Sequence, residues 1–363
     1  MTLQASGSIK LSDITTEFGN WSSATCPGQS YTGVAYGNDT FVAIAYGTNP
    51  AAPTTNVITS TDYGRTWTLR AMPSARQWRA ITFGNGYFCA VVLGLNVAAT
   101  STDGITWTAR TLADNDNWRA IAYGNGKFVA IGPSKSNVST DNGATWTSSA
   151  MPNWAQWITA FTFGNGYFVA VGYNSTVAAT STDGVNWTQR TLPKQSFWSS
   201  LAYGNGTFVS SGPNTSGVAG SEFVYSTDNG ATWTAGEMPT TQSYMSMTYG
   251  NGYFCAVASN GSGIASTALS SDGINWISNP NNGYAYWQAC TYGNNTFVAV
   301  QGGQGNGTFT KTVYMDASRL VRLGKYYKNG GIVDTSVTGI PTSGAISLSN
   351  FYSKTKPSTS LMA

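Results

Sequence analysis

The sequence predicts an all-β protein assembled from repeated units. Three observations carry this prediction: the composition, a recurring hairpin and a recurring aspartate turn. The chain has 363 residues, including 42 glycines; only 9% of residues are charged, and aromatic residues reach 13%. This profile is typical of a protein rich in strands and tight turns. A chain of this length exceeds what one hydrophobic core usually serves, which favours a modular architecture.

The recurring hairpin reads Tyr or Phe, then Gly-Asn, then Phe three residues after the Asn. It occurs seven times, beginning at Tyr36, Phe83, Tyr123, Phe163, Tyr203, Tyr249 and Tyr292. Successive copies start 40 to 47 residues apart, which is the period of propeller blades. Each copy lies between two apolar runs, and Asn and Gly accept the positive φ of a tight turn. Each copy therefore predicts two antiparallel strands.

The recurring turn follows each of the first six hairpins, as in STDNGATW at residues 139 to 146. Its aspartates are Asp62, Asp103, Asp141, Asp183, Asp228 and Asp272. The motif resembles the Asp-box, which joins the third and fourth strands of many β-propeller blades. Physically, the carboxylate can accept hydrogen bonds from amides of its own turn, the Gly supplies the backbone angle, and the Trp fastens the turn to its blade.

One repeat thus predicts four strands, and seven repeats predict a seven-bladed β-propeller of four-stranded blades. The seventh repeat lacks the aspartate turn and its Trp, whereas GNWSSATCP at residues 19 to 27 resembles the fourth strand of the other repeats. We therefore expect the N-terminal strand to complete the last blade and close the ring. The predicted domains are an N-terminal docking flank, 1–18, the propeller, 19–316, and a basic C-terminal docking flank, 317–363.

Several function classes do not fit this sequence. The net charge of +3 is too small for a nucleic-acid interface. The first residues contain no apolar signal segment, and no stretch is long enough to insert into a membrane, so we expect a protein made in the cytoplasm. Histidine is absent and the four cysteines are scattered, which predicts buried free thiols and neither metal nor cofactor.

Catalysis is also disfavoured by the residues. Sialidases carry Asp-boxes on propellers, but the glutamates of this chain, Glu17, Glu222 and Glu237, lie outside the predicted repeat strands. A glycosidase needs a facing carboxylate pair, and a nucleophilic triad needs a base that is missing here. Asp114 and Asp116 are interpreted as solvated turn residues. The sequence therefore predicts that the chain is not an enzyme.

A candidate ligand-binding surface lies where the first strand of each repeat begins. Aromatic residues stand there, with an arginine after two of them, and the candidates are Trp78, Arg79, Trp118, Arg119, Trp157, Trp198 and Trp287. The aromatic residues either pack between neighbouring blades or stack on a sugar or partner. The paired arginines either grip an anionic sugar or carboxylate, or form inter-blade salt bridges or a solvated rim. In the other repeats the residues aligned with the arginines are Thr32, Ile158, Ser199, Met245 and Gln288.

The two flanks carry a second resemblance. SIKLSDITTEFG at residues 8 to 19 and GIPTSGAISLSNFYSK at residues 339 to 354 resemble the opening and closing motifs of small structural proteins of tailed bacteriophages. This resemblance implies a virion component, on the tail or as a capsid decoration, present in multiple copies per particle. The C-terminal flank also has six basic residues against one acidic residue. The predicted virion-docking residues are Leu11, Ile14, Phe18, Arg319, Arg322, Ile346, Leu348, Phe351 and Tyr352.

The first hypothesis is a non-enzymatic virion structural protein whose propeller adheres to host surface glycan or to another virion protein. An alternative is a cellular scaffold that resembles the photosystem II assembly factors, which are Asp-box propellers. A glycan-cleaving enzyme is the third hypothesis, and the missing acids count against it.

Overall fold

The computed structural model describes residues 21–46, 53–153, 158–213, 220–260, 266–280, 285–302, 311–316, 327–328 and 331–332. The chain divides into two units, one of residues 21–315 and one of residues 1–20 with 316–363. In the second unit the structure describes a two-stranded hairpin, β27 Tyr327–Lys328 and β28 Gly331–Ile332. The virion-docking residues predicted in both flanks, from Leu11 to Phe18 and from Arg319 to Tyr352, lie outside the described residues.

The larger unit consists of strands β1 to β26, which follow one another along the chain in the order of the repeats. It begins with β1 Ser22–Thr25. The first three repeats contain β2 Tyr31–Gly37, β3 Thr40–Ala45, β4 Thr54–Ser60, β5 Thr68–Arg76, β6 Trp78–Gly84, β7 Tyr87–Val92, β8 Val97–Ser101, β9 Thr108–Thr111, β10 Ala120–Gly124, β11 Lys127–Ile131, β12 Lys135–Ser139 and β13 Thr147–Ala150. The last four contain β14 Ile158–Gly164, β15 Tyr167–Ser181, β16 Thr188–Phe197, β17 Ser200–Gly204, β18 Thr207–Ser211, β19 Gly220–Ser226, β20 Thr234–Gly250, β21 Tyr253–Asn260, β22 Ser266–Ser270, β23 Ile277–Pro280, β24 Ala285–Gly293, β25 Thr296–Gln301 and β26 Lys311–Asp316.

The prediction of an all-β protein with antiparallel four-stranded sheets is confirmed at this level. Repeats one, two and three form three separate sheets, β2 to β5, β6 to β9 and β10 to β13. The later repeats differ from the predicted separate blades because some strands run on without a break. β15 spans the second and third strand positions of repeat four, and β20 runs from the fourth strand of repeat five into the first strand of repeat six. β20 joins repeats five and six, the pairing of β21 with β24 adds repeat seven, and strands of the last three repeats and β1 thus form one 11-stranded sheet.

The first and last strands of the larger unit pair with each other. β1 lies antiparallel to β26, with Ser22 opposite Tyr314 and Thr25 opposite Lys311. The indole Nε1 of Trp21 donates a 3.0 Å hydrogen bond to Thr267 Oγ1 in repeat six. Trp67 Nε1 of repeat one likewise donates to Thr312 Oγ1 in repeat seven, at 2.9 Å. Trp21 thus makes the same kind of contact with the third strand of repeat six as Trp67 of repeat one makes with the third strand of repeat seven.

The hairpin motif has a packing reason. A Cβ placed on Gly124 would lie 2.1 Å from Cγ of Phe163, so only glycine lets the next hairpin's aromatic side chain approach this closely. The same contact recurs between each hairpin Gly and the next aromatic residue, as Gly37–Phe83, Gly84–Tyr123, Gly164–Tyr203, Gly204–Tyr249, Gly250–Tyr292 and Gly293–Tyr36. The last of these contacts links the seventh hairpin to the first.

The six aspartate turns are held by their own side chains. In repeat three, Asp141 Oδ1 accepts a 2.9 Å hydrogen bond from the amide of Thr145, and Asp141 Oδ2 accepts one of 2.6 Å from its hydroxyl. The Oγ of Ser139 accepts the amide of Gly143 at 2.8 Å, and Trp146 Nε1 donates to the Gly143 carbonyl at 3.0 Å. The hydrogen bonds that Asp141 accepts from the hydroxyl and the amide of Thr145 lower the pKa of its carboxyl to about 2. The carboxylates are thus committed to turn structure.

The core lies between neighbouring sheets and is made of aliphatic residues, one Phe per hairpin, and buried Trp, Tyr and Met side chains such as Trp78, Tyr244 and Met72. Phe88, Phe128, Phe168 and Phe208 are among its fully buried side chains. The four cysteines are free and buried, which confirms the prediction of buried thiols, and burial raises the pKa of Cys290 to about 12. In the part of the chain that the structure describes, there is no helix long and apolar enough to cross a membrane.

Candidate functional site: a cavity lined by seven strands

The larger unit has a cavity of about 240 Å³ where the first strands of the seven repeats converge. Each repeat contributes one short segment to its wall. The first residues of these segments are Thr32, Arg79, Arg119, Thr159, Ser199, Met245 and Gln288. Pockets formed between repeated elements are common sites for small ligands, so this cavity is the candidate functional site.

A β-bulge places these seven residues. In repeat two, Trp78 pairs with Val92 and Ala80 pairs with Val91, which leaves Arg79 without a partner across the sheet. Repeats one, four, six and seven show the same register shift. In repeat three both Arg119 and Ala120 lie opposite Ile131, and in repeat five Ser199 and Ser200 lie opposite Ser211. Because a bulge re-aims the extra side chain, each of these bulge residues lines the cavity.

The residue before each bulge residue is buried, and in six of the seven repeats it is aromatic. Trp78, Trp118 and Trp198 are 0% exposed and Trp287 is 3% exposed. Two of the indoles donate to backbone carbonyls, Trp78 to Ser74 at 3.3 Å and Trp198 to Ser175 at 3.1 Å. The interpretation of these four tryptophans as a surface for stacking on a ligand is therefore wrong. The alternative, packing within the larger unit, accounts for their burial.

The structure also corrects the alignment of repeat four. Trp157 lies outside the described residues, and the buried position before the bulge is held by Ile158, which is 1% exposed. The cavity residue of this repeat is Thr159, where the sequence analysis aligned Ile158 with the arginines. Counting four residues back from the hairpin aromatic, Phe163, gives the cavity position Thr159, because the register of the first strand is fixed by its hairpin.

Three bulge residues tie neighbouring repeats together through their hydroxyls. Thr32 Oγ1 donates to the Trp78 carbonyl at 2.7 Å, and Thr159 Oγ1 donates to the Trp198 carbonyl at 2.6 Å. Ser199 Oγ donates to the Tyr244 carbonyl at 3.2 Å. These hydroxyl protons are already used, so they are not available to donate to a ligand.

Arg79 and Arg119 make the cavity positive. No aspartate or glutamate lines it, and the ion pair found among the described residues, Lys194 with Glu222 at 3.0 Å, lies elsewhere. Burial lowers the pKa of Arg79, the charge of Arg119 lowers it further, and the Tyr46 hydroxyl acts in the opposite direction. The Arg79 guanidinium stays protonated at neutral pH, because arginine does not lose its proton in proteins.

Other site chemistries have no support in this part of the molecule. Among the described residues, no group of three or more His, Cys, Asp or Glu side chains could hold a metal ion. Asp116 is a turn residue, since its Oδ2 accepts the amides of Ser134 and Lys135 at 3.0 and 2.9 Å. Within the described part of the chain, the cavity is a place where two arginines without a carboxylate partner line an open space.

No protein-family model matches this sequence, and no curated protein matches it. Several solved structures do share its fold. A streptogramin B lyase superposes with a TM-score of 0.67 at 10% identity, over 83% of this chain and 99% of that one. A virginiamycin B lyase from Staphylococcus aureus gives 0.67 at 12% identity, over 82% and 99%. YCF48 from Cyanidioschyzon merolae gives 0.62 at 13% identity, over 83% and 100%.

The chain has a β-propeller fold. At such low identity the likeness shows the fold alone. It nevertheless overturns the prediction that the chain is not an enzyme, because solved propellers with this arrangement include a lyase. A variant of the S. aureus lyase made inactive by a histidine-to-alanine substitution has also been solved with quinupristin, with a TM-score of 0.66. This chain contains no histidine, so that residue has no counterpart of the same type here.

Proposed function

We propose that this chain is a binding protein in which seven propeller blades form a closed ring and present the cavity to a partner molecule. The observation that carries this proposal is the pair Arg79 and Arg119, which line the cavity without a carboxylate partner among the described residues. Placing two partly buried positive charges side by side without a counter-charge is costly, and an anionic group of the partner would offset that cost.

The contacts between the ends of the larger unit support the closed ring. β1 pairs with β26, and Tyr36 packs against Gly293 as each other hairpin aromatic packs against the preceding Gly. The repeat that holds β24, β25 and β26 would then be the seventh blade, with β1 as its fourth strand. This blade count is also supported by the seven bulge residues around one cavity.

The flanking motifs support a setting for this binding protein. Because residues 8 to 19 and 339 to 354 resemble phage structural proteins, we propose that the flanks dock on other virion proteins and that the propeller is displayed toward host surface glycan or another virion protein. The protein would be made in the host cytoplasm, incorporated in several copies, and have no role in nucleic-acid binding or membrane insertion.

A second candidate function is a cellular assembly-factor scaffold. It is favoured by the likeness to YCF48, which has also been solved with a D1 peptide, with a TM-score of 0.58 at 13% identity over 82% of this chain. A scaffold of this kind would use the same cavity face to hold a segment of a protein under assembly. The two candidates share a binding role and differ in where the protein resides.

Purified particles separate the two settings. We expect the full chain to sediment with virions produced by cells that carry its gene, and cross-linking to join residues 1–18 and 317–363 to other virion proteins. Deleting residues 317–363 should abolish sedimentation with particles while the propeller stays folded, and moderate salt should weaken the contact only partly, because it combines apolar burial with charge. Absence of the protein from particles, together with a stable complex with one cellular protein, would reject the virion setting in favour of the scaffold.

A further inference from the structure

The cavity wall has two chemically different sides. Repeats seven, two and three contribute Gln288, Arg79 and Arg119, the polar bulge residues whose donors are not used in the bonds between repeats described above. Repeats four, five and six contribute Phe161, Leu201 and Met247, and the bulge residue of repeat six is Met245. Apolar residues also come from the other repeats, as Val34, Ile81 and Cys290. In a ring of seven, repeats seven, two and three face repeats four, five and six across the cavity. The cationic groups therefore lie on one side, whereas apolar side chains line both.

Small residues leave room between these two sides. After the bulge residues come Gly33, Ala80, Ala120, Ala160 and Ala289, with serine in repeats five and six. Both serine oxygens have hydrogen-bond partners within the protein. Ser200 Oγ lies 2.9 Å from Ser211 Oγ, and Ser246 Oγ accepts the amide of Cys290 at 3.0 Å. The charged groups available for recognition lie on the arginine side.

The ligand chemistry follows from this division. Guanidinium groups match the two oxygens of a carboxylate, and two of them from adjacent repeats give that carboxylate several charge-assisted hydrogen bonds. The side opposite the arginines offers Leu201, Met245 and Met247 for contact with a hydrocarbon group, and a polar ligand group placed against these side chains would lack a partner, which costs binding free energy. The volume of about 240 Å³ restricts the hydrocarbon group to a compact one.

We propose that the cavity binds a carboxylate that carries a compact apolar group. Arg79 and Arg119 hold the carboxylate, and Leu201, Met245 and Met247 contact the apolar group. The ligand is either a free organic acid or the carboxyl end of a chain whose last residue is apolar. This inference rests on the proposed binding function and adds the ligand class.

Calorimetric titration of the full chain tests the ligand class with defined probes. We expect 4-phenylbutyrate to bind more tightly than glucuronate, which has the same charge but a polar body, and more tightly than sulfate. A short peptide ending in phenylalanine with a free carboxylate should bind if the source is a chain end, and its amidated form should not. The double variant R79Q/R119Q should weaken 4-phenylbutyrate by roughly tenfold or more per arginine.

The test includes a matched control variant, R110Q, and a second cavity variant, M245Q. Arg110 lies outside the cavity lining and its Nε donates to Thr100 Oγ1 at 3.0 Å, so R110Q should leave binding unchanged. If R79Q/R119Q does not fold, M245Q should still weaken 4-phenylbutyrate while leaving acetate binding unchanged. Equal affinity for glucuronate or sulfate, or the same loss in R110Q, would overturn the proposal.

The outcomes also separate this inference from the proposed function. If the small acids fail to bind but a partner binds the wild-type protein and is lost in R79Q/R119Q, the ligand class is wrong and the binding function stands. If partner binding is also unaffected by R79Q/R119Q, both are wrong.

Discussion

A β-bulge in the first strand of repeats two and three directs Arg79 and Arg119 toward the cavity. Without the bulge, the residue after a buried tryptophan would pair across the sheet and its side chain would follow strict alternation. With the bulge, residues of very different chemistry stand at the same place in each repeat, from Thr32 to Met245. The buried aromatic residues are thus structural, and the position after each of them varies in chemistry from repeat to repeat.

The turn carboxylates predict an acid-sensitive stability. Hydrogen bonds from the side chain and the amide of Thr145 lower the pKa of Asp141 to about 2, and the pKa values of the other five turn aspartates are also lowered, although burial acts against this in each. A pKa lower in the folded state than in the unfolded state, which is about 3.9, contributes stability that is complete above that value. We expect the urea midpoint to be unchanged from pH 7 to about 5 and to fall between about pH 4 and 2.

The substitution D141N provides the control for this pH dependence. It removes one titrating group, so the acid-induced decrease in the urea midpoint should be smaller than in the wild type. The difference should be modest, because Asp141 is exposed and solvent screens its interactions. An acid-induced decrease that is identical in D141N would show that this turn does not contribute to the pH dependence.

At the scale of the element, the hairpin is both a turn and a packing unit. Asn125 and Gly126 form the turn with φ values of 47° and 74°. The Asn125 side chain donates to the carbonyls of Gly166 and Thr182, at 3.0 Å each. One glycine before the turn, Gly124, receives the side chain of Phe163. The same short motif therefore closes a hairpin and joins it to the next repeat.

A double-mutant cycle can test this packing role. The substitution G124A places a methyl group against Phe163 and should destabilise the fold by about 1–3 kcal/mol, as overpacking usually does. Combining it with F163L should relieve part of the clash, so the two effects should not add. The measurement is the free energy of unfolding in urea for the single and double variants.

Gly126 supplies the matched control for that cycle. Apart from Gly126 and its two chain neighbours, no described atom lies within 4 Å of a Cβ placed at this position. G126A should therefore lower the free energy of unfolding only because of the positive φ, by about 1–2 kcal/mol. Its effect should add to that of F163L. Additivity in both cycles would contradict the contact between Gly124 and Phe163.

At the scale of the larger unit, the decisive feature is that its first and last strands, β1 and β26, pair with each other. A sheet edge with unpaired amides and carbonyls recruits other chains, and β26 is covered by β1 rather than left as such an edge. A closed ring would also hold the seven bulge residues at fixed mutual distances, which a cavity of defined shape requires.

Truncation tests this closure. Removing residues 1–27 deletes β1 and should expose β26, so we expect aggregation in light scattering and a lower melting temperature. Removing residues 1–18 alone leaves β1 in place, so the protein should remain monomeric. A monomeric protein with an unchanged melting temperature after removal of residues 1–27 would contradict closure by this strand.

The sequence by itself determined the all-β class, the positions of the hairpins and the aspartate turns, and the burial of the four cysteines. These features depend on interactions close along the chain or on strict repetition, which a sequence displays directly. The hairpin Gly-Asn and the turn Asp each act within a few residues. The pairing of β1 with β26 was also proposed from the sequence, because the missing strand of the last repeat stands at the front of the chain.

Only the tertiary structure decided the site. It showed that Trp78 and Trp118 are buried, that Thr159 holds the cavity position in repeat four, and that no carboxylate in the cavity wall neutralises Arg79 and Arg119. It also merged strands of the later repeats into one large sheet. The physical reason is that burial and charge pairing depend on side chains from different repeats, 40 or more residues apart, and a one-residue bulge changes which of them meet.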